Sequence, residues 1–301
     1  MAWTPNVRIP NQQSKASPAL AYYGGLHMVH LGDSSNEIWH SYYDGETWRR
    51  PDNGEPGNYP IPGHTSKAAP AIFTNNGLLH MVHLGDSSND IWHSTFDKAK
   101  AEWSPDIRIP GQRSKASPAL TEYSGLLHMV HLGDSSNDIW HSYYDGQTWR
   151  RPDNKEPGNC RIPGQTSKAS PAIFQAGALH MVHLGDSSND IWHSTFDGNN
   201  WSINRPIPGQ QSKASPALAL YNTRLHMVHL GDSSNDIWHS YFDGQTWRRP
   251  DNGEPGNYPI PGQQSKASPA LAYGGSVGAQ LHMVHLGDSS NDIWHSISDG
   301  S

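Results

Sequence analysis

The sequence predicts an all-β fold, a six-bladed β-propeller of four-stranded antiparallel blades. Three observations predict it: a motif that occurs six times, four strand-like segments in every copy, and chain ends that complement each other. The motif is LHMVHLGDSSN(D/E)IWHS, with its first histidine at His27, His80, His128, His180, His226 and His282, so successive copies lie 53, 48, 52, 46 and 56 residues apart. A period near fifty with four strands per unit is that of a propeller blade, and closing the ring hides sheet edges that separate meanders would expose.

Within a copy the elements follow in order. SKASPALA supplies the first strand, LHMVHLG the second and IWHSYYDG the third; a Trp-led segment such as TWRRP runs into a Pro- and Gly-rich stretch ending IPG and supplies the fourth. Alternation and β-branched or aromatic content make these segments strands, and no window carries a helical stripe. The chain ends in IWHSISDGS, after a third strand, and begins with AWTPNVRIP, which matches a fourth. The N-terminal strand is therefore expected to complete the last blade, making residues 1–301 a single propeller domain. The twelve tryptophans divide evenly: Trp3, Trp48, Trp103, Trp149, Trp201 and Trp247 in fourth strands, Trp39, Trp92, Trp140, Trp192, Trp238 and Trp294 in third strands.

A second period overlies the first. Copies one, three and five share SY(Y/F)DG(E/Q)TWRRPDN(G/K)EPGN, whereas copies two and four carry STFD and a shorter fourth segment. The chain reads as a two-blade unit used three times. Cys160 stands where copies one and five have Tyr59 and Tyr258, and is assigned no chemistry.

Composition excludes several classes. A net charge of -7 with His neutral lacks the electrostatic footprint of a nucleic-acid binder, and no stretch is long and apolar enough for membrane insertion. One cysteine cannot form an internal disulfide, and no charged-then-apolar leader follows Met1. Cytoplasmic synthesis without a signal peptide is expected, with any release by a non-classical route. Twelve Trp and twelve Tyr against five Phe favour rings with a polar handle, which suit half-wet binding surfaces.

The loops contain an internal control. The loop between first and second strands differs in every copy, whereas GDSSN and SKA(S/A)P barely change, and the two constant loops should emerge on one face. A hairpin centred on Ser34-Ser35 sets His30 opposite Trp39 and Leu31 opposite Ile38. The side bearing His27, Val29, Leu31, Ile38 and His40 is the more apolar and is expected to be inter-blade core. Below and on the constant face, an indole beside Asp, Asn, His and Lys suits a sugar, with its apolar C–H face and its rim of hydroxyls. The candidate sugar contacts are Lys15, His30, Asp33, Asn36 and Trp39 in the first copy, and Lys67, His83, Asp86, Asn89 and Trp92 in the second. They continue as Lys115, His131, Asp134, Asn137 and Trp140, then Lys168, His183, Asp186, Asn189 and Trp192. The last two sets are Lys213, His229, Asp232, Asn235 and Trp238, then Lys266, His285, Asp288, Asn291 and Trp294. The bland alternative is that Asp33 and Asn36 satisfy turn backbone and Trp39 fills the gap between blades.

Repeats of the form SPAL, then L-x-MVH-x-G, then IWHS-x-(Y/F)DG-x-x-W resemble those of bacterial and fungal β-propeller lectins, including tectonin-like and fucose-binding propellers. The resemblance spans essentially the whole chain and implies a multivalent lectin that recognises terminal sugars of cell-surface glycans without catalysis, up to six sites acting together in agglutination. The rival readings are a protein-interaction scaffold and a sialidase-like glycoside hydrolase. SYYDGETW approaches the Asp-box, but Asp44 abuts Gly45, and hydrolysis needs a unique acid and base where this chain repeats everything. Nineteen His invite a metal reading, but His27 and His30 fall on opposite sides of a strand, and DSSND lacks the aspartate density of a calcium loop. No metal and no cofactor is expected.

Overall fold

The computed structural model describes residues 2–274 and 280–298 and is a six-bladed β-propeller. Every element is a strand, with no helix among the described residues. Blade 1 runs outward from the axis as Ala19–Tyr22, Leu26–Leu31 and Glu37–Tyr43, then an outer strand in two pieces, Trp48–Arg49 and Tyr59–Thr65. The innermost strands of neighbouring blades touch all the way round, Ala19–Tyr22 meeting Ala270–Gly274 of blade 6. Val7–Gln13 pairs with Asp292–Ser298 and Trp3 bridges Ser298, so the N-terminal strand does complete the last blade.

The hairpin register is the one the sequence predicts, with His30 opposite Trp39 and Leu31 opposite Ile38. Its loop is closed by Gly32 N–H donating to Glu37 C=O at 3.0 Å. A Cβ on Gly32 would lie 2.4 Å from Ser35 Oγ and 3.1 Å from Trp39 Nε1, so close approach, rather than an unusual φ, requires glycine here.

The outer strand departs from a single fourth strand. Trp48–Arg49 and Tyr59–Thr65 both pair with Glu37–Tyr43, and between them the chain leaves the sheet. Pro51 and Pro56 cannot donate to a ladder. The excursion is instead closed on itself by Arg50 N–H to Glu55 C=O at 2.8 Å and Gly57 N–H to Trp48 C=O at 2.9 Å. The second piece then bulges at its Pro-Gly step, where Gly63, Gly111, Gly164, Gly209 and Gly262 take φ between +69° and +77° and the Asn11 counterpart takes +57°. Asparagine is among the few other residues that tolerate that region.

The core differs from expectation in one respect: both sides of each blade are buried, not only the one bearing Val29. Leu26, His27, Met28, Val29, His30 and Leu31 are all buried. Val29, Leu31 and Ile38 pack on Ile72, Leu79, Met81 and Phe96 of blade 2. Leu20, Leu26, Met28 and Trp48 pack on Val284, Leu286 and Ile293 of blade 6. A blade in a closed ring has a neighbour on each side, so its strands follow the rule for sheets covered on both faces and not the half-buried alternation of an open sheet.

Candidate functional site

The two constant loops share one face, as their contacts show: Lys15 N–H donates to Gly32 C=O at 3.3 Å and Ser14 N–H to Asn291 C=O at 2.8 Å. The predicted polar residues meet there, but across blade boundaries. Lys15 Nζ donates to Asn36 Oδ1, and Asn36 Nδ2 donates onward to Asp86 of blade 2. Lys67 and Asn89 reach Asp134 in the same way, Lys115 and Asn137 reach Asp186, and Lys168 and Asn189 reach Asp232. Lys213 and Asn235 reach Asp288, and Lys266 and Asn291 return to Asp33. Eighteen side chains thus form a closed Lys–Asn–Asp ring that stitches each blade to the next. Each Asn already spends its carbonyl and one N–H in the ring.

The histidines of the candidate set sit below this ring, inside the blades. His30, His83, His131, His183, His229 and His285 are each at most 1% exposed. His30 Nδ1 donates to Leu31 C=O at 2.7 Å and its Nε2 accepts from Asn58 Nδ2 at 2.9 Å, so both nitrogens are satisfied within the protein. Desolvation by burial pushes His30, His131, His229 and His285 down to about 4, leaving them neutral at physiological pH. Such rings are engaged on both nitrogens within the blade. The tryptophans are half-buried, and the Nε1 of Trp39 lies beneath the hairpin against Gly32. Asp33 and Lys15 are the exposed members of the first set.

A different set of cavities follows the second sequence period. At the boundaries between blades 6 and 1, 2 and 3, and 4 and 5, rim clefts of about 400, 530 and 980 Å³ open. Each has a Pro- and Ile-bearing wall from the bulged outer strand, with Arg8, Arg108 or Arg205 on it. Facing it are an aromatic ring and a Glu/Gln-Thr-Trp triplet: Tyr43 with Glu46-Thr47-Trp48, Tyr144 with Gln147-Thr148-Trp149, and Phe242 with Gln245-Thr246-Trp247. Three of the exposed large apolar residues, Val7, Ile107 and Ile203, line these clefts or stand beside their floor.

The alternation has a visible cause in hydrogen bonding. At the other three boundaries the fourth-strand indole is tied down: Trp103 Nε1–H donates to His40 Nδ1 at 3.0 Å, Trp201 to His141 at 3.1 Å and Trp3 to His239 at 3.2 Å. That donation fixes the tautomer, because His40 then carries its proton on Nε2 and passes a hydrogen bond to His27 Nδ1 at 2.9 Å. At the cleft boundaries Trp48 and Trp149 have buried N–H groups with no partner, and Trp247 reaches His193 only at 3.5 Å. The residues Arg8, Thr47, Trp48 and their counterparts were not among the sequence candidates. The signal that could have found them was the RRPDN alternation, which marks the same three blades.

Comparison with solved structures shows the fold. AofleA from Arthrobotrys oligospora, as a triple arginine-to-alanine variant, superposes with a TM-score of 0.73 at 10% identity over 99% of this chain and 87% of its own. The SapL1 lectin in complex with α-methyl fucoside gives 0.64 at 14% identity over 96% and 95%. A Trypanosoma rangeli sialidase bound to the inhibitor DANA also gives 0.64, at 11% identity, over 96% of this chain but 55% of its own. No protein-family model and no curated relative matches the sequence.

Proposed function

We propose that the protein is a multivalent carbohydrate-binding lectin without catalysis, and that its sugar sites are the three rim clefts. The observation that carries this is their repetition: a Pro- and Ile-bearing wall, a threonine and an aromatic ring recur at every second boundary, each with an arginine, in register at Arg8 and Arg108 and one residue earlier at Arg205. A sugar needs an apolar surface for its C–H face and both donors and acceptors for its hydroxyls. The exposed Val7 offers the first; the Arg8 guanidinium, which also reaches Asp292 at 3.5 Å, the Thr47 hydroxyl and the Glu46 carboxylate offer the second. The structural likeness to the fucoside-bound SapL1 lectin supports the class, though at 14% identity it carries no contact residues across. A hydrolase reading shares the fold of the sialidase, yet a cleft repeated three times argues for binding, since one scissile bond calls for one acid and one base. The Asp33–Asn36–Lys15 set is assigned to holding the ring together.

The test is a glycan array followed by titration of the best ligand against two triple variants. Arg8→Ala/Arg108→Ala/Arg205→Ala should weaken binding by about 10- to 100-fold, the range of a lost hydrogen bond to a charged group. Asp33→Asn/Asp134→Asn/Asp232→Asn should leave sugar affinity unchanged. The opposite pattern would return the sites to the constant face, and a blank array would favour a protein-interaction scaffold.

A further inference from the structure

The axis of the propeller holds a feature that neither the sugar reading nor the repeat explains. The innermost strands enclose a cavity of about 650 Å³, within the range of ~300–1,000 Å³ common to small-molecule pockets. Its girdle is one aliphatic residue per blade, Leu20, Ile72, Leu120, Ile173, Leu218 and Leu271, and among the described residues no lining side chain is charged. Polar lining groups are confined to hydroxyls and an amide, Tyr22, Thr74, Tyr221, Asn222, Thr223 and Tyr273, toward the face of the variable loops. Tyr22 and Tyr273 are 40% and 43% exposed, which places two of the molecule's exposed large hydrophobic residues at this mouth.

Sequence divergence singles out the same place. In a chain whose second strands are six copies of LHMVHLG, the next inner-strand position reads Ala21, Phe73, Thr121, Phe174, Ala219 and Ala272. Phe73 and Phe174 meet edge to face across blade 3, with ring centroids 5.8 Å apart. The three-fold pattern of two-blade units would place a third phenylalanine in blade 6, and Ala272 stands there instead. Phe73 and Phe174 thus fill one side of the cavity with aromatic rings, whereas Ala21 and Ala272 line it with no more than a methyl group.

We infer that the axial cavity is a single binding site for a neutral, largely hydrocarbon small molecule, entered from the variable-loop face and separate from the repeated clefts. An ionic ligand would lose its hydration with no charge to meet it. Water gains little there, since apolar cavities stay dry or take apolar guests. A sugar would find too few donors and acceptors along the aliphatic girdle.

The experiment uses the full chain and N-phenylnaphthylamine, a neutral dye that brightens in apolar surroundings. One dye per chain should bind, an excess of fucose or other array-positive sugar should leave it in place, and a long-chain alkanol should displace it. Ala272→Phe, which restores the third ring, should weaken the dye by at least about tenfold while the circular dichroism and sugar binding stay native. Dye binding undiminished in a folded Ala272→Phe, or no saturable binding at all, overturns the inference. A neutral alkyl benzophenone photolysed with the unaltered protein gives an answer independent of that variant. Labelling on the Leu20–Tyr22 or Leu271–Tyr273 peptides supports the site; labelling confined to the rim or to the constant face overturns it.

Discussion

Trp103 and Trp48 occupy the same place in consecutive blades and end in different states. Trp103 donates to His40, whereas the more deeply buried Trp48 has an unpartnered indole N–H against the His295 ring. Replacing Trp103 by Phe strands a buried acceptor, which costs about 1–3 kcal/mol, while replacing Trp48 by Phe removes a donor that had no partner. Denaturant unfolding should therefore rank Trp103→Phe as the more destabilised of the two, the reverse of the order that burial alone gives. His64 offers the opposite case. In five copies a buried serine of the third strand donates to a glutamine of the neighbouring outer strand, as Ser142 does to Gln112 at 3.0 Å. His64 replaces that glutamine, bonds through Nε2 to Ser104 C=O at 3.1 Å with Asp106 3.2 Å away, and leaves Ser94 Oγ buried without a partner. The double change His64→Gln/Asp106→Asn restores the pattern of the other copies and should raise stability by about 1 kcal/mol; an unchanged or lowered denaturation midpoint would refute it.

The second and third strands carry a ladder of neutral histidines, and this sets how the blades respond to acid. Seventeen histidines are held below their ordinary value of 6.5, chiefly by desolvation, with His27 at about 4 and His93, His193 and His295 at about 3. Their folded values lie below the unfolded one, so the unfolded chain binds more protons as pH falls. Stability is complete above about pH 6.5 and is lost on the way down toward pH 4, at up to roughly 1.4 kcal/mol per histidine per pH unit. With so many acting in the same direction, acid unfolding should set in below about pH 6.5 and precede the range set by carboxylates. A protein still folded at pH 4 would show that the ladder accepts protons in place. The closing strand is the other element with a clear consequence: removing residues 1–13 opens the edge of Asp292–Ser298 and takes away Ile9, so the shortened chain should lose cooperative unfolding or associate through the bare edge.

Much of the ring was legible in the sequence. The identical LHMVHLG and IWHS segments fixed strand type and hairpin register, because local alternation and a tight turn determine both, and the mismatched ends foretold the closure by Val7–Gln13. The sites were less legible, for one physical reason: their partners belong to the neighbouring blade. Asp33 reads as a rim acceptor beside Asn36, yet its hydrogen bond comes from Asn291, 258 residues away. His30 reads as a ligand below the loop, yet a second blade buries the side of the sheet that an isolated hairpin would leave wet. Arg8 and Trp48 come together only because the first and last blades meet. If the three rim clefts bind sugar as proposed, a rigid disc would combine individually weak sites, of ~millimolar to micromolar affinity, into strong attachment to clustered glycans. The variant with all three arginines changed should lose agglutination of glycan-bearing cells, while one with a single arginine changed keeps two sites and much of its avidity.

The number of sugar sites per chain is the quantity on which this account stands. Isothermal titration with the monosaccharide selected by the glycan array measures it directly, in the intact protein and without any variant. The account predicts three equivalents bound per chain, one for each cleft at the boundaries of blades 6 and 1, 2 and 3, and 4 and 5. Six equivalents would place the sites on the repeated constant face, and one would place the sugar on the axis; either result contradicts it.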